Sequence, residues 1–140
     1  MIVTLLNGRS RNVSVGEYQL DWDGPRKVSK VQRAVEEFLR PYWTGKMVLG
    51  EWRIPGTKLR LDLVNVSDGL LVEVDGDQHA SYNPHFHGSL SGYRASIKRD
   101  LQKDRFAELN GWTLVRITEA DVKNGALSAQ WFMDTYNVTL

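Results

Sequence analysis

Acidic side chains and one histidine gather in the middle of the chain. Glu73 and Asp75 follow Asp62 by eleven and thirteen residues, and His79 comes four residues after Asp75. Carboxylate oxygens suit Mg²⁺, which usually binds one or two acids and keeps several waters. A neutral imidazole can accept a proton near neutral pH. Hydrolysis of a phosphodiester bond needs such groups, because it requires a cation beside the phosphate, a deprotonated water and a proton for the leaving oxygen.

The charges around these residues are unevenly distributed, although the net charge is only +1. Residues 62–91 contain five acids and no Lys or Arg, whereas residues 1–61 contain eleven Lys and Arg against six acids. Residues 92–105 again favour bases, five against two. An acidic segment between basic flanks suits a metal site beside a phosphate-binding surface. Each acid alone is more often a solvated turn residue, and a lone histidine is more often structural, so the prediction depends on their combination.

The segment that follows the acids supplies further candidates. Asp100 is a natural group to orient His79, or to form an outer-shell contact to the metal. Four bases of the same segment could contact the DNA backbone, although a solvated helix face explains them equally well. They are Lys98, Arg99, Lys103 and Arg105. His85 and His87 could reach a metal or a phosphate, but loop histidines are more often solvated.

Hydrophobic patterning predicts the elements that would position these side chains. An N-terminal hairpin with arms 2–6 and 11–15 turns at Asn7-Gly8, where both residues tolerate positive φ. A helix then begins after Ser29, which forms a capping box with Gln32, and Pro41 closes it.

The remaining elements place the acids at strand positions. Strands are expected at 47–54, 58–66, 70–75 and 112–117, and helices at 93–110 and 126–136. Thr118 with Asp121 resembles a further helix cap. Strand alternation puts Glu73 and Asp75 on one face of the third strand. The predicted order is a hairpin, then α-β-β-β-α-β, then a helical tail.

Composition limits the class of protein and the kind of metal site. A chain of 140 residues with 41% hydrophobic and 25% charged residues fits one globular domain. The absence of cysteine excludes disulfides and cysteine-ligated zinc. No apolar run reaches the ~20 residues of a membrane helix, and the first residues do not resemble a signal peptide. We therefore expect a cytoplasmic protein without membrane contact.

Several runs together resemble a known nuclease family. They are Leu71-Val-Glu-Val-Asp-Gly-Asp-Gln-His79, Lys98-Arg-Asp100, Asp104-Arg105 and Gly111-Trp-Thr-Leu-Val-Arg116. In these runs the chain is similar to the very short patch repair endonucleases and to the EDxHD nuclease domains of some phage homing endonucleases. Both belong to the PD-(D/E)xK, restriction-endonuclease-like superfamily. The resemblance covers about residues 29–122, and it implies an α/β restriction-endonuclease-like core with a mixed central sheet flanked by helices.

The resemblance assigns roles to individual residues. Asp62 matches the catalytic, metal-binding aspartate, and Val74 matches the residue whose backbone carbonyl binds metal in the repair enzymes. His79 matches the catalytic histidine within one position, and Asp100 resembles the aspartate of the following helix. Glu73 and Asp75 occupy the E-x-K positions of the wider superfamily, with Asp75 where lysine is usual.

Two departures from the family pattern affect this assignment. The family's helix glutamate falls here on Gln32, and Glu36, one turn later, is the candidate to replace it. The cysteine-bound structural zinc of the repair enzymes cannot form in this chain, which sets it apart from a one-to-one match with mismatch repair.

The resemblance predicts a DNA endonuclease that uses Mg²⁺, with Mn²⁺ as a substitute, in a bacterial or phage-infected cell. The chain divides into an N-terminal hairpin and arm (1–28) and one nuclease domain with a helical tail (29–140). A phage-type homing endonuclease is the favoured reading. A strand-specific mismatch nickase, a junction resolvase and an inactive DNA-binding module are the alternatives. The partner is double-stranded DNA, and one set of site residues per chain predicts a homodimer for double-strand cleavage.

Overall fold

The structure, a computed structural model, describes residues 1–76 and 90–140. It has α/β architecture, with a separate two-stranded hairpin and a mixed four-stranded sheet flanked by helices. The strands are β1 (Ile2–Thr4), β2 (Ser10–Asn12), β3 (Val48–Arg53), β4 (Arg60–Asn65), β5 (Leu70–Asp75) and β6 (Thr113–Thr118). The helices are α1 (Lys30–Trp43), α2 (Leu90–Leu109), α3 (Glu119–Lys123) and α4 (Ala129–Tyr136), with a 3₁₀ helix at Gly16–Tyr18. The predicted order of a hairpin, α-β-β-β-α-β and a helical tail is confirmed.

The four-stranded sheet has the order β3-β4-β5-β6. The first three strands are antiparallel neighbours in a meander, and β6 pairs parallel to β5. The parallel pair requires a crossover, which contains α2 between the two strands. The crossover therefore leaves the sheet at the end of β5, where the predicted acidic site lies.

Two hydrophobic clusters cover the sheet. One joins Val35 and Leu39 of α1 and Phe132 of α4 to sheet residues that include Leu63 and Val72. The other joins Phe106 and Ala107 of α2 and Val3 of the hairpin to sheet residues that include Leu61 and Leu71. Because each buried Leu or Phe stabilises the fold by roughly 1.5–3 kcal/mol, these clusters hold the sheet as a rigid support.

Helix α1 begins as predicted but ends later. The Ser29 hydroxyl accepts a hydrogen bond from the Gln32 backbone N–H, which confirms the N-cap. The Gln32 side chain does not complete a capping box, because it donates to Glu36 and Glu51 instead. The prediction that Pro41 closes the helix is wrong, since α1 continues to Trp43. A proline in the last turn removes one backbone bond, and the complete burial of Trp43 offsets that loss.

Other boundaries differ by a few residues. The hairpin arms are shorter than predicted, because Leu5 and Arg9 close the turn by a backbone hydrogen bond around Gly8. The closing helix begins at Ala129 rather than at residue 126, since Ser128 caps it by accepting from the Trp131 N–H. The Thr118–Asp121 capping box is confirmed. No helix in the described ranges has the length and apolar character needed to cross a membrane.

Candidate active site

The pairing of β4 with β5 ends at the predicted metal site. The antiparallel register runs through Asn65↔Leu70, Val64↔Leu71 and Leu63↔Val72, which leaves Asp62 in register with Glu73. At this position, hydrogen bonds from backbone N–H groups to side chains replace the backbone–backbone hydrogen bonds between β4 and β5. The Asp62 N–H donates to Glu73 Oε2 at 3.3 Å, and the Val74 N–H donates to Asp62 Oδ2 at 2.8 Å. The strand ends therefore hold two carboxyl groups against each other.

The two carboxyl groups cannot both carry their charge at low cost. Burial, the charge of Glu73 and a hydrogen bond with the Glu73 side chain raise the pKa of Asp62 from its usual 3.8 to about 8. The Val74 N–H and the charge of Lys103 act in the opposite direction and do not offset these effects. In the metal-free protein Asp62 consequently holds a proton at neutral pH, as one of two close carboxyl groups in a dry site does.

Lys103 of α2 supplies the cation of this site. Its Nζ lies 2.5 Å from Glu73 Oε1, and the two side chains are only 18% and 5% exposed. The contact is an ion pair without hydrogen-bond geometry at Oε1. The structure thus separates Lys103 from Lys98, Arg99 and Arg105, which are exposed on α2. Of the four bases predicted to grip DNA, Lys103 is the one that faces the carboxyl pair.

The carboxyl pair fits a divalent cation of the Mg²⁺ class. Among the described residues no group of three or more His, Asp or Glu side chains is arranged to hold a metal ion. Two carboxylates nevertheless match the one or two that Mg²⁺ takes from proteins. A bound cation would take the place of the proton on Asp62, and it would relieve the repulsion between Asp62 and Glu73. The N–H and C=O of one strand residue point to the same side, so the Val74 carbonyl faces the same edge as its N–H.

Asp75 and Asp100 lie near a different cation, Arg116 of β6. The Arg116 guanidinium donates to Asp104 Oδ1 at 2.6 Å and to the Asp100 backbone oxygen at 3.0 Å. Burial opposes the charge of Arg116, but Asp104, Asp100 and Asp75 outweigh it and raise its pKa above the usual value. Because Arg116 stands in register with Glu73, this group adjoins the carboxyl pair on the next strand.

Glu36 belongs to a second polar cluster, at α1. It accepts hydrogen bonds from Arg26 and from Gln32 Nε2, and Gln32 Nε2 also donates to Glu51 Oε1 at 3.1 Å. Glu51 has a φ of 50°, a conformation that non-glycine residues rarely adopt. The β3–β4 register places Glu51 across from Asp62, between Gly50↔Leu63 and Trp52↔Leu61. The predicted helix glutamate is thereby linked to the strand that neighbours Asp62.

Sequence reasoning missed Arg26 and Glu51, as well as the contact of Lys103 with Glu73. No motif marks Arg26 or Glu51, because Arg26 lies in the arm before α1 and Glu51 interrupts an apolar strand. The resemblance drew attention to Gln32 only because it replaces the family glutamate. It did not predict that Gln32 links Glu36 to Glu51. The predicted residues His79, His85 and His87 lie outside the described residues.

Comparison with known proteins adds no family assignment. No protein-family model matches this chain. No curated protein and no solved structure matches it either.

The proton held by the carboxyl pair should make stability depend on pH. A pKa raised to about 8 in the folded protein means that this stabilisation is complete below the usual value of 3.8 and is lost as the pH rises through about 8. In EDTA, the Tm of the wild type should fall more steeply between about pH 5 and pH 9 than that of Asp62→Asn. Thermal unfolding across this range measures the difference, and parallel curves for the two proteins would contradict it.

Proposed function

We propose that this chain is a Mg²⁺-dependent endonuclease that hydrolyses phosphodiester bonds of DNA, with Mn²⁺ able to substitute. One observation carries the proposal: Asp62 and Glu73 are held against each other at the ends of adjacent strands, and the pKa of Asp62 is raised to about 8. Two carboxyl groups held together in a partly buried site lower the stability of a folded protein unless a cation binds between them. Perturbed carboxyl groups of this kind are enriched at functional sites.

The arrangement of elements supports a restriction-endonuclease-like core. The order α-β-β-β-α-β with a mixed four-stranded sheet agrees with the architecture that the sequence resemblance implies. The acids occupy β4 and β5, as that resemblance requires for the aspartate and for the E-x-K strand. Fold alone does not determine chemistry, so this agreement strengthens the proposal only together with the carboxyl pair.

Each residue of the site has a distinct task in the proposed reaction. Asp62 and Glu73 would hold the cation together with the Val74 carbonyl, and Asp75 stands at the same strand end. Bound Mg²⁺ would supply charge stabilisation for the phosphate and lower the pKa of a coordinated water. Lys103 forms an ion pair with Glu73 and positions its carboxyl group. Asp100 is assigned a supporting role beside Arg116, and Glu36 supports the site through Gln32 and Glu51.

His79 is proposed to move the proton of the attacking water or of the leaving oxygen. Its position four residues after Asp75 and the family resemblance support this role. His79→Ala should therefore slow cleavage by about 10²–10⁴-fold, the usual effect of losing a general acid or base, with little effect on DNA binding. Single-turnover cleavage and binding isotherms measured side by side test the prediction. Equal losses of binding and cleavage would make His79 a DNA contact or a structural residue instead.

A panel of DNA substrates tests the function directly. Supercoiled, linear, mismatched and branched DNA are incubated with the protein and Mg²⁺, and with EDTA as the control. Cleavage of an intact duplex at one site supports a homing endonuclease, nicking only beside a mismatch supports a repair enzyme, and cleavage only of branches supports a resolvase. Binding without cleavage of any substrate would leave a DNA-binding module and refute the enzyme.

The same panel reports on assembly. One chain has one Asp62 and one Glu73, so it provides one centre for two antiparallel strands. A two-fold dimer would present two centres in the matching orientation. Accordingly, a monomer should release nicked plasmid first, whereas a homodimer on DNA should produce linear plasmid directly. Sedimentation with and without DNA distinguishes the two states.

A further inference from the structure

Two arginines face each other across the β3–β4 hairpin. The antiparallel register pairs Arg53 directly with Arg60, and both side chains are exposed. Like charges directly opposite in a sheet destabilise it. Within residues 1–76 and 90–140, neither arginine forms an ion pair with a carboxylate. The protein therefore carries an uncompensated, unfavourable pair at this position, which an anion between the two guanidinium groups would stabilise.

A third arginine lies beside this pair. A cavity of about 310 Å³ separates the N-terminal segment from the turn that joins β3 to β4. It is lined by Arg11, Tyr18, Arg53 and Pro55, among others, and Glu17 is the acid at its wall. Arg11 is exposed on β2, and the ion pairs of the described residues do not include it. The opening thus carries more positive than negative charge.

The N-terminal hairpin is fixed to the domain, so Arg11 is held in place. The Asn110 side chain accepts from the Thr4 N–H at 2.8 Å and donates to the Thr4 carbonyl at 2.9 Å. Val3 is buried against the core on the same side. The hairpin is consequently a packed part of the domain, and its arginine can contribute to one continuous surface with the β3–β4 turn.

The position of Arg60 relates this surface to the candidate active site. Arg60 and Asp62 are two residues apart on β4, which corresponds to about 7 Å along the strand. The neighbouring pair in the register, Trp52 and Leu61, is buried in the core. Arg53 and Arg60 therefore project away from that core. A polyanion that reaches Asp62 would pass these arginines.

We propose that Arg11, Arg53 and Arg60 form a binding surface for the phosphate backbone of duplex DNA, which flanks the cleavage site. The proposal rests on the proposed nuclease function and names the surface that would position its substrate. Guanidinium groups bind phosphate oxygens in pairs of hydrogen bonds, so several of them on one surface suit the repeated phosphates of a nucleic-acid backbone. The surface is separate from α2, to which the sequence assigned the phosphate contacts.

Binding of a short DNA duplex without metal tests the proposal. Fluorescence anisotropy at several salt concentrations compares the wild type with Arg53→Ala/Arg60→Ala. Each lost phosphate contact should reduce the slope of log affinity against log salt by about 0.9, so the double variant should lose nearly twice that. The matched control is Lys27→Ala/Lys30→Ala, which removes two exposed charges near the start of α1 and should keep the wild-type slope.

A charge reversal separates a binding role from a structural one. Arg60→Glu creates an opposite-charge pair with Arg53 and should raise the Tm of the free protein while weakening DNA binding. A wild-type slope and affinity in Arg53→Ala/Arg60→Ala, or no DNA binding by the wild type, would overturn the surface. Tighter binding of duplex RNA than of duplex DNA would overturn the choice of partner.

The outcome is separable from that of the proposed function. If the wild type binds DNA through these arginines but cleaves no substrate, the binding surface is supported and the proposed nuclease activity is refuted. If the wild type cleaves DNA and the arginine variants bind DNA equally well, the nuclease activity is supported and the binding surface is refuted.

Discussion

Replacing Asp62 with Asn should reduce DNA cleavage by at least about 10²-fold, while the protein stays folded. Metal catalysis contributes several kcal/mol of transition-state stabilisation, and about 1.4 kcal/mol corresponds to a factor of ten. The amide keeps the size of the side chain and can still accept from the Val74 N–H. It also removes the repulsion with Glu73, which adds to the effect of burial in raising the pKa of Asp62 to about 8. Single-turnover cleavage and thermal unfolding, both at neutral pH, measure the two effects.

A surface carboxylate provides the matched control. Asp134 accepts a hydrogen bond from Gln130 on α4 and is exposed, so Asp134→Asn should retain wild-type cleavage. Calorimetric titration with Mg²⁺ should show weakened binding for Asp62→Asn alone. Wild-type cleavage by Asp62→Asn would place the metal elsewhere and refute the proposed centre.

The strands of the site were predictable because their patterns are local. Leu70–Asp75 was predicted with the bounds that the structure has, since an apolar run flanked by turn residues is typical of a buried strand. The juxtaposition of Asp62 with Glu73 could be predicted, because the two residues lie on consecutive predicted strands that can pair. The closeness of their contact could not be predicted, because it depends on where the backbone hydrogen bonds between β4 and β5 stop. No sequence pattern marks the last pair, Leu63↔Val72.

The contacts of Lys103 and Glu51 could not be predicted, for two different reasons. Helix α2 has a weak apolar stripe: Phe106 and Ala107 are buried, whereas Ile97 and Leu101 are exposed. Without a clear stripe, periodicity does not tell which of its bases face the sheet. Glu51 depends on a backbone conformation with φ of 50°, which sequence does not predict for a residue other than glycine.

The extension of α1 past Pro41 shows tertiary packing overriding local preference. Trp43 is completely buried in the cluster between α1, α4 and the sheet. Burial of an aromatic side chain contributes enough free energy to compensate for one backbone bond that proline removes.

Removing the cation beside Glu73 should have the second large effect, on stability. Lys103→Met leaves the buried Glu73 carboxyl group without its cation beside Asp62, and breaking a buried ion pair costs about 3–5 kcal/mol. The loss should be largest as the pH rises through about 8, because Asp62 then ionises and adds a second negative charge that lacks the cation. Urea unfolding at several pH values measures the free energy. Lys98→Met, on the exposed side of the same helix, should change it by less than about 0.5 kcal/mol.

A double variant separates the stabilising role of Lys103 from its role at the site. Glu73→Gln/Lys103→Met removes both charges, so it should recover much of the stability that Lys103→Met loses, since neutral replacement of a buried pair is often well tolerated. Cleavage should be lost, because Glu73 no longer offers a carboxylate to the metal. If the double variant is as unstable as Lys103→Met, then Lys103 stabilises the protein through packing of its aliphatic stem and not through Glu73. If the double variant cleaves DNA at the wild-type rate, Glu73 has no part in holding the metal, and the centre would consist of Asp62 with ligands other than Glu73.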